Sequence, residues 1–227
     1  MSVGQEAGTS TGGSRPYHSP RRAEQATATR QAIVGAAARL FAERGYHATT
    51  MAAIAEEARV AVKSVYTLAE KPQLLLLALD QTIAGDDAPV PVAERPEARA
   101  VLEAADARRQ VELTARLGAR MLLRLFRLYR SFEQAASADP GLRDHWREYQ
   151  RRRHQDVGRL VEAIAANAPL RDGFAARRAT DTIWALVTWH PVALLVEERG
   201  WTQADLEAWL EDLLAALLLP ADRPQDA

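Results

Sequence analysis

Four donors lie within one short stretch, Val62 to Leu68: Lys63, Ser64, Tyr66 and Thr67. Wound as a helix, the stretch carries these donors on one side and Val65 and Leu68 on the other. Such a face can meet nucleic acid: phosphate contacts fix register, and contacts to base edges give specificity. Lysine can donate to guanine O6 and N7. The same face also reads as the solvated side of an ordinary helical hairpin, and the residues alone leave both readings open. The chain has only two lysines, Lys63 and Lys71, and both fall in this region.

A second set of residues is aromatic and cationic. Arg120, Arg124, Phe126, Arg127, Tyr129, Arg130 and Phe132 share one long helical stretch, with Arg124, Arg127 and Arg130 spaced by three. Trp146, Tyr149, Trp184, Trp189 and His190 come from later stretches. Together they would line a pocket for an aromatic or anionic ligand, or else form core packing with a solvated arginine face. The run Arg151-Arg152-Arg153-His154 reads as solvated surface, because four consecutive positions cannot share one helix face. The scattered His145, His154 and His190 lack metal-ligand spacing, so no metal is expected. There is no cysteine, Gly-rich phosphate loop, G-x-S-x-G elbow or clustered carboxylate pair. The expectation is a non-enzyme without a cofactor.

The elements that must position these groups are helices. Alanine, leucine, arginine and glutamate dominate the 227 residues, and aromatics are 6%. These are helix formers, and no stretch alternates as a strand would, so the fold class is all-α. Net charge is -1, against bulk coating of nucleic acid. Residues 1–73 hold nine basic and six acidic side chains, so the basic excess accompanies the donor-rich helix. No apolar run approaches the roughly 20 residues of a membrane span, and the N-terminus has no apolar signal core. A cytoplasmic, nucleoid-associated protein is expected, with no membrane partner.

In chain order, residues 1–27 read as a disordered basic arm. Residues 28–73 read as a helix-turn-helix domain. Its first helix starts near Thr29, buries Ile33, Ala37, Leu40 and Phe41, and stops at a left-handed Gly45. Thr50 caps the second helix, Arg59-Val60 form the turn, and the third helix runs to Leu68. A core of Ile33, Phe41, Ile54, Val60 and Val65 is marginal in size, so this head should lean on the C-terminal part of the chain. Residues 74–219 read as a helical bundle. It is entered by a helix from Lys71-Pro72 whose Leu74–Leu79 run is apolar nearly all round. Gly85 to Pro96 reads as a loop. Further helices are expected over Glu97–Ala107, Arg108–Ala138, Gly141–Ala168, Gly173–Glu198 and Thr202–Leu218, the last with a Thr202–Asp205 capping box. Trp189-His190-Pro191 should kink or split its helix, and 220–227 form a tail.

The stretch Arg30 to Leu77 resembles the N-terminal domain of tetracycline-repressor (TetR) family regulators. The resemblance rests on Ile33, Ala36-Ala37, Leu40-Phe41, Glu43, Gly45-Tyr46, Thr49-Thr50, Ile54-Ala55 and Ala58. It continues through Val60, Val65, Tyr66, Lys71 and Leu74-Leu75. Asp181 to Leu186 and Glu197 to Trp201 are similar to the C-terminal domain of many actinobacterial members. The resemblance implies a homodimer that binds a palindromic operator in double-stranded DNA and represses until a small-molecule effector releases it. By matching position it implies phosphate contacts from Tyr66 and Lys71 and a backbone contact from Thr50. Lys63 and Ser64 are the base-edge or phosphate candidates, with Thr67 and His47 beside them. The chain departs from the pattern at Arg59, where the family has a turn glycine, and at Ala61, where it has a capping serine. It departs again after the third helix, where the family's usual aromatic is missing, and in Tyr66 to Lys71, which is one residue short.

For dimerisation the last two helices offer Trp184, Leu186, Val187, Leu194, Leu195, Trp209, Leu210, Leu213, Leu214 and Leu217. Two helices per subunit would make an intersubunit four-helix bundle. The rival reading is a helical ligand-binding or scaffold protein without sequence-specific DNA binding, whose N-terminal hairpin merely packs.

Overall fold

The computed structural model describes residues 20–84 and 96–220, and every regular element among them is helical. The elements are α1 (Pro20–Ala48), α2 (Met51–Glu57), α3 (Val62–Leu68), α4 (Lys71–Ala84), α5 (Pro96–Glu103), α6 (Ala107–Ala138), α7 (Pro140–Asn167), α8 (Ala176–Leu186), α9 (Trp189–Ala193) and α10 (Gln203–Leu218). Of the expected arm, residues 1–19 lie outside the described residues, and 20–27 are helical. The first helix therefore begins at Pro20 rather than near Thr29. Residues 21 and 23–28 are exposed and the opening holds no apolar pattern, but Ala, Arg, Glu and Gln are good helix formers. Residues 85–95 of the expected loop and 221–227 of the tail also lie outside the described residues.

The head is built by α1, α2 and α3 around Ile33, Phe41, Ile54 and Val65, all essentially inaccessible. It has no core of its own. The same cluster takes in Leu74, Leu75, Ala78 and Leu79 of α4, Leu125, Leu128, Tyr129, Phe132, Ala135 and Ala136 of α6 and Leu142 of α7. The small three-helix unit thus completes its burial on the bundle, as its size requires. A second cluster joins the start of α6 to α7, α8 and α10 through Val111, Val161, Ile183 and Leu214. A third joins the middle of α6 to α9 and α10 through Ala119, Phe126, Val192 and Leu210. The 32-residue α6, about 48 Å long at 1.5 Å per residue, belongs to all three and runs as a spine from bundle to head.

Helix ends follow their caps. Asp106 accepts from the Arg109 N–H at 2.7 Å to start α6, and Asp139 accepts from the Gly141 N–H at 2.8 Å to start α7. Thr202 and Asp205 form the reciprocal box at α10. The expected helix Gly173–Glu198 is instead α8, a break at Val187 and Thr188, α9, and a π-helical turn over Leu194–Glu198. Pro191 is not the breaking residue. It sits third in α9, where a helix needs no N–H. The stretch Ala176–Glu198 is, by length and composition alone, apolar enough to cross a membrane, contrary to the expectation that no run approaches a span. In the fold it is bent into two pieces, with α8 packed on α7 and α9 on α6.

Candidate nucleic-acid interface and ligand cleft

The front of the head is fixed by two adjacent threonines with separate tasks. Thr50 Oγ1 accepts from the Ala53 N–H at 3.1 Å and caps α2. Thr49 is fully buried, and its hydroxyl lies 2.8 Å from the Gly45 carbonyl and 3.1 Å from that of Leu40. Gly45 has φ 81° and ψ 165°. That is a positive φ, as expected, but in an extended region that only glycine occupies readily rather than the left-handed helical one. Beyond α2 the chain turns through Arg59 at φ 56°, the only non-glycine residue with positive φ among those described. Ala61 begins α3 with no side-chain cap.

Val65 plugs α3 into the core and leaves the opposite face open. Lys63, Tyr66 and Thr67 are exposed and Ser64 is half-buried, with Tyr66 51% accessible. The Thr67 hydroxyl donates to the Lys63 carbonyl at 2.8 Å, so only its oxygen lone pairs face outward freely. Val62, absent from the expected donor face, is exposed at the start of the same helix. Lys71 opens α4 with its Nζ 4.4 Å from the centre of the Tyr46 ring, and partial burial lowers its pKa. His47 is exposed, edge-on to Tyr46. Thr50, exposed at its cap, stands at the N-terminus of α2.

A cleft of about 70 Å³ opens between α6, α7 and the α8–α9 break. Leu122, Tyr129 and Glu133 come from α6, and Trp146, Tyr149, Gln150 and Arg153 from α7; Val187, Thr188, Trp189 and His190 close it. Ring contacts knit its floor: Tyr129 to Tyr149 at 4.9 Å, Trp146 to Tyr149 at 5.6 Å and Phe132 to Trp146 at 5.1 Å. Burial pushes the Tyr129 phenol well up and the Tyr149 phenol up. His190 stacks on Trp189 at 3.6 Å and faces Glu133 at 3.3 Å. The buried Trp189 Nε1–H has no hydrogen-bond partner.

The cleft holds Tyr129, Trp146, Tyr149, Trp189 and His190 of the twelve residues expected to line a pocket, and leaves out the other seven, among them Arg127, Arg130 and Phe132. Arg120 and Arg124 are exposed on α6, Phe126 is buried in the core shared with α9 and α10, and Trp184 packs under Arg153 on α8. Arg153 corrects the reading of residues 151–154 as solvated. It is half-buried and donates to the Trp184 carbonyl at 2.6 Å, the Val187 carbonyl at 3.1 Å and Gln150 at 3.2 Å. It thereby caps the C-terminal end of α8. His154 pairs with Asp181 of α8 at 2.8 Å but keeps an exposed side chain, as a solvated surface residue would. The missed signal was spacing: Trp146, Tyr149, Gln150 and Arg153 fall at i, i+3, i+4 and i+7, one helix face.

Residues 33–68 match the profile of bacterial regulatory proteins of the tetR family. No curated protein sequence matches the chain. Among solved structures, a transcriptional regulator from Saccharomonospora viridis in complex with choline aligns at TM-score 0.65 and 20% identity, over 85% of this chain and 98% of that one. A TetR-family regulator from Mesorhizobium loti aligns at 0.64 and 20%, over 85% and 96%. NalD of Pseudomonas aeruginosa, the secondary repressor of the MexAB-OprM multidrug efflux pump, aligns at 0.60 and 23%, over 86% and 98%. Residues 33–68 of the head thus resemble the TetR family in sequence, and the chain shares the fold of these regulators.

On this TetR fold, the residues expected at a dimer interface divide. Leu194 is 63% exposed, and Leu186 beside the break is also exposed. Trp184, Val187, Leu195, Trp209, Leu213 and Leu217 are half-buried. Leu210 and Leu214 face inward: Leu210 is buried against Ala115 and Ala119 of α6, and Leu214 lies in the core with α8. Their place in the pattern reflects the inner face of α10 rather than an outer one. Arg127 and Arg130 of α6 bind Glu197 at 3.1 and 2.7 Å, anchoring the π-helical turn beneath Leu194.

Proposed function

We propose that the chain is a transcriptional repressor that binds a palindromic operator as a homodimer and is released by a small molecule held in the α6–α7–α9 cleft. One observation carries the reading: the TetR-type head turns a donor-bearing face of α3 outward while Val65 fixes the helix from behind. Tyr66, Lys71 and Thr50 serve as backbone contacts. Lys63 and Ser64 face base edges or phosphate, with Thr67 and His47 at the margin. Val62 adds an apolar contact suited to a thymine methyl. Exposed Leu186 and Leu194, with their half-buried neighbours, supply the apolar surface for a second subunit. Two-fold symmetry would set the recognition helices about 34–36 Å apart.

The effector reading is supported by the aromatic cleft and its unpartnered indole N–H. The fold of the choline-bound Saccharomonospora protein supports it as well. Tyr129 of the cleft, and Phe132 packed behind its Trp146, belong to the core beneath the head, so a ligand that favours one packing of these rings would shift the head with it. Selection of bound duplexes from a random pool tests the DNA reading, with Tyr66→Phe and Lys71→Ala as variants. An enriched palindrome, bound more weakly by both variants and with a shallower salt dependence by Lys71→Ala alone, is expected. No salt-sensitive affinity for any duplex would favour the helical ligand-binding or scaffold reading. A ligand that binds tightly yet leaves operator affinity unchanged would remove the effector coupling.

A further inference from the structure

Tyr46 occupies the joint between head and bundle. It is 8% exposed and stacks on Phe41 at 5.6 Å, so its ring orientation is fixed from below. The Lys71 ammonium lies over that ring, 4.4 Å from its centre. No carboxylate among the described residues pairs with Lys71, so the ring is the contact that holds it. A cation over an aromatic face is attracted by the ring quadrupole without being neutralised, so the ammonium keeps its charge for another partner. Tyr46 shares one buried cluster with Ala135 and Ala136 at the end of α6 and Leu142 at the start of α7, the α6–α7 corner. Burial and then the Asp139 carboxylate raise the Tyr46 pKa, and a Cβ on adjacent Gly45 would stand 3.8 Å from Gln134 Oε1. Asp139 itself is locked as the cap of α7.

We propose that Tyr46 is a positioning residue that aims Lys71 at the DNA backbone and carries movements of the α6–α7 corner to that contact. The proposal rests on the reading of Lys71 as a phosphate contact. It assigns a route at the head–bundle joint: corner, ring, ammonium, phosphate. α6 also carries the floor of the cleft, so the corner lies at the end of the same helix that a ligand would touch.

The presence of only two lysines makes the test direct. Reductive ¹³C-methylation labels Lys63, Lys71 and the N-terminal amine and keeps them cationic. In the free protein the Lys71 methyl resonance should lie upfield of that of Lys63 through the ring current. It should stay there in Tyr46→Phe and move to the Lys63 position in Tyr46→Leu. On a mixed-sequence duplex, Lys71→Ala should flatten the plot of log affinity against log salt by about 0.9 per protomer. Tyr46→Phe should keep the wild-type slope. Tyr46→Leu should flatten it, and Tyr46→Leu with Lys71→Ala should be no flatter than Lys71→Ala alone. A wild-type Lys71 resonance coincident with Lys63 would overturn the proposal, and this measurement decides even if Tyr46→Leu fails to fold. So would a folded Tyr46→Leu with the wild-type slope. An unchanged slope in Lys71→Ala, with the upfield resonance intact, would instead remove the phosphate reading on which the proposal rests.

Discussion

The two ends of α2 are built to different standards. At its entry, Gly45 takes a backbone conformation reserved for glycine, Thr49 binds two carbonyls from a buried position, and Thr50 caps the helix. At its exit, an arginine occupies the left-handed region and an alanine stands where a cap would be. The entry abuts α6 and the α6–α7 corner, whereas the exit faces outward and sets the pose of α3. The chain therefore invests specificity where the head joins the bundle. It leaves α3 to be placed by packing, through the buried Val65 and half-buried Val60 and Leu68. Changes at the entry should damage folding, and changes at the exit should improve it.

The largest expected effect is Gly45→Ala. A Cβ there has room, with its nearest neighbour 3.8 Å away, so the cost is backbone strain alone. Strain of this class amounts to about 2–3 kcal/mol, which in a chain of this size lowers Tm by about 5–10 °C. Thermal denaturation followed by circular dichroism measures it, and a wild-type Tm would show that the entry is not strained as described. Thr49→Val comes next. It keeps the shape and removes the hydroxyl that reaches the Leu40 and Gly45 carbonyls. Losing a buried hydrogen bond costs about 1–2 kcal/mol, so urea midpoints should fall without a change in slope. Thr49→Ser, which retains the hydroxyl, should recover most of that loss.

The contrast also explains which features are legible in the sequence. Local signals are legible because one residue suffices to make them: Thr50 and α2, Val62–Leu68 as α3, Asp139-Pro140 and α7, Thr202 with Asp205 and α10. The irregular exit is legible for the same reason, since Arg59 and Ala61 are single residues in a known pattern. The start of α1 is not, because helix propensity on an exposed stretch leaves no periodic trace. The break at Val187 and Thr188 is misplaced to Pro191, because a proline early in a helix costs nothing there. Face assignments on α6 fail where two cores compete for one helix. Phe126 and Tyr129 are three residues apart, yet Phe126 packs with α9 and α10 and Tyr129 with the core under the head. Arg153 is lost among arginines because its partners are carbonyls of α8, whose approach to α7 no local pattern records.

The smallest effects, and the most informative about function, belong to the exit. Arg59→Gly removes the penalty of a side chain in the left-handed region and adds unfolded-state entropy, for a net gain of about 0.5–1 kcal/mol. Ala61→Ser supplies the missing cap and gains about 1 kcal/mol. Both positions are exposed, so neither substitution disturbs the core. They share one turn, so the pair should gain less than the sum. If packing alone places α3, both variants should raise Tm by a few degrees and keep wild-type affinity for the selected duplex. If the loose turn lets α3 adapt to its site, the stabilised pair should bind that duplex more weakly while unfolding later. Melting curves and duplex affinities on the same four proteins separate these outcomes. A stabilised turn with weakened binding would place the adaptability of the head at Arg59 and Ala61, leaving Thr49 and Gly45 as the fixed side of the joint.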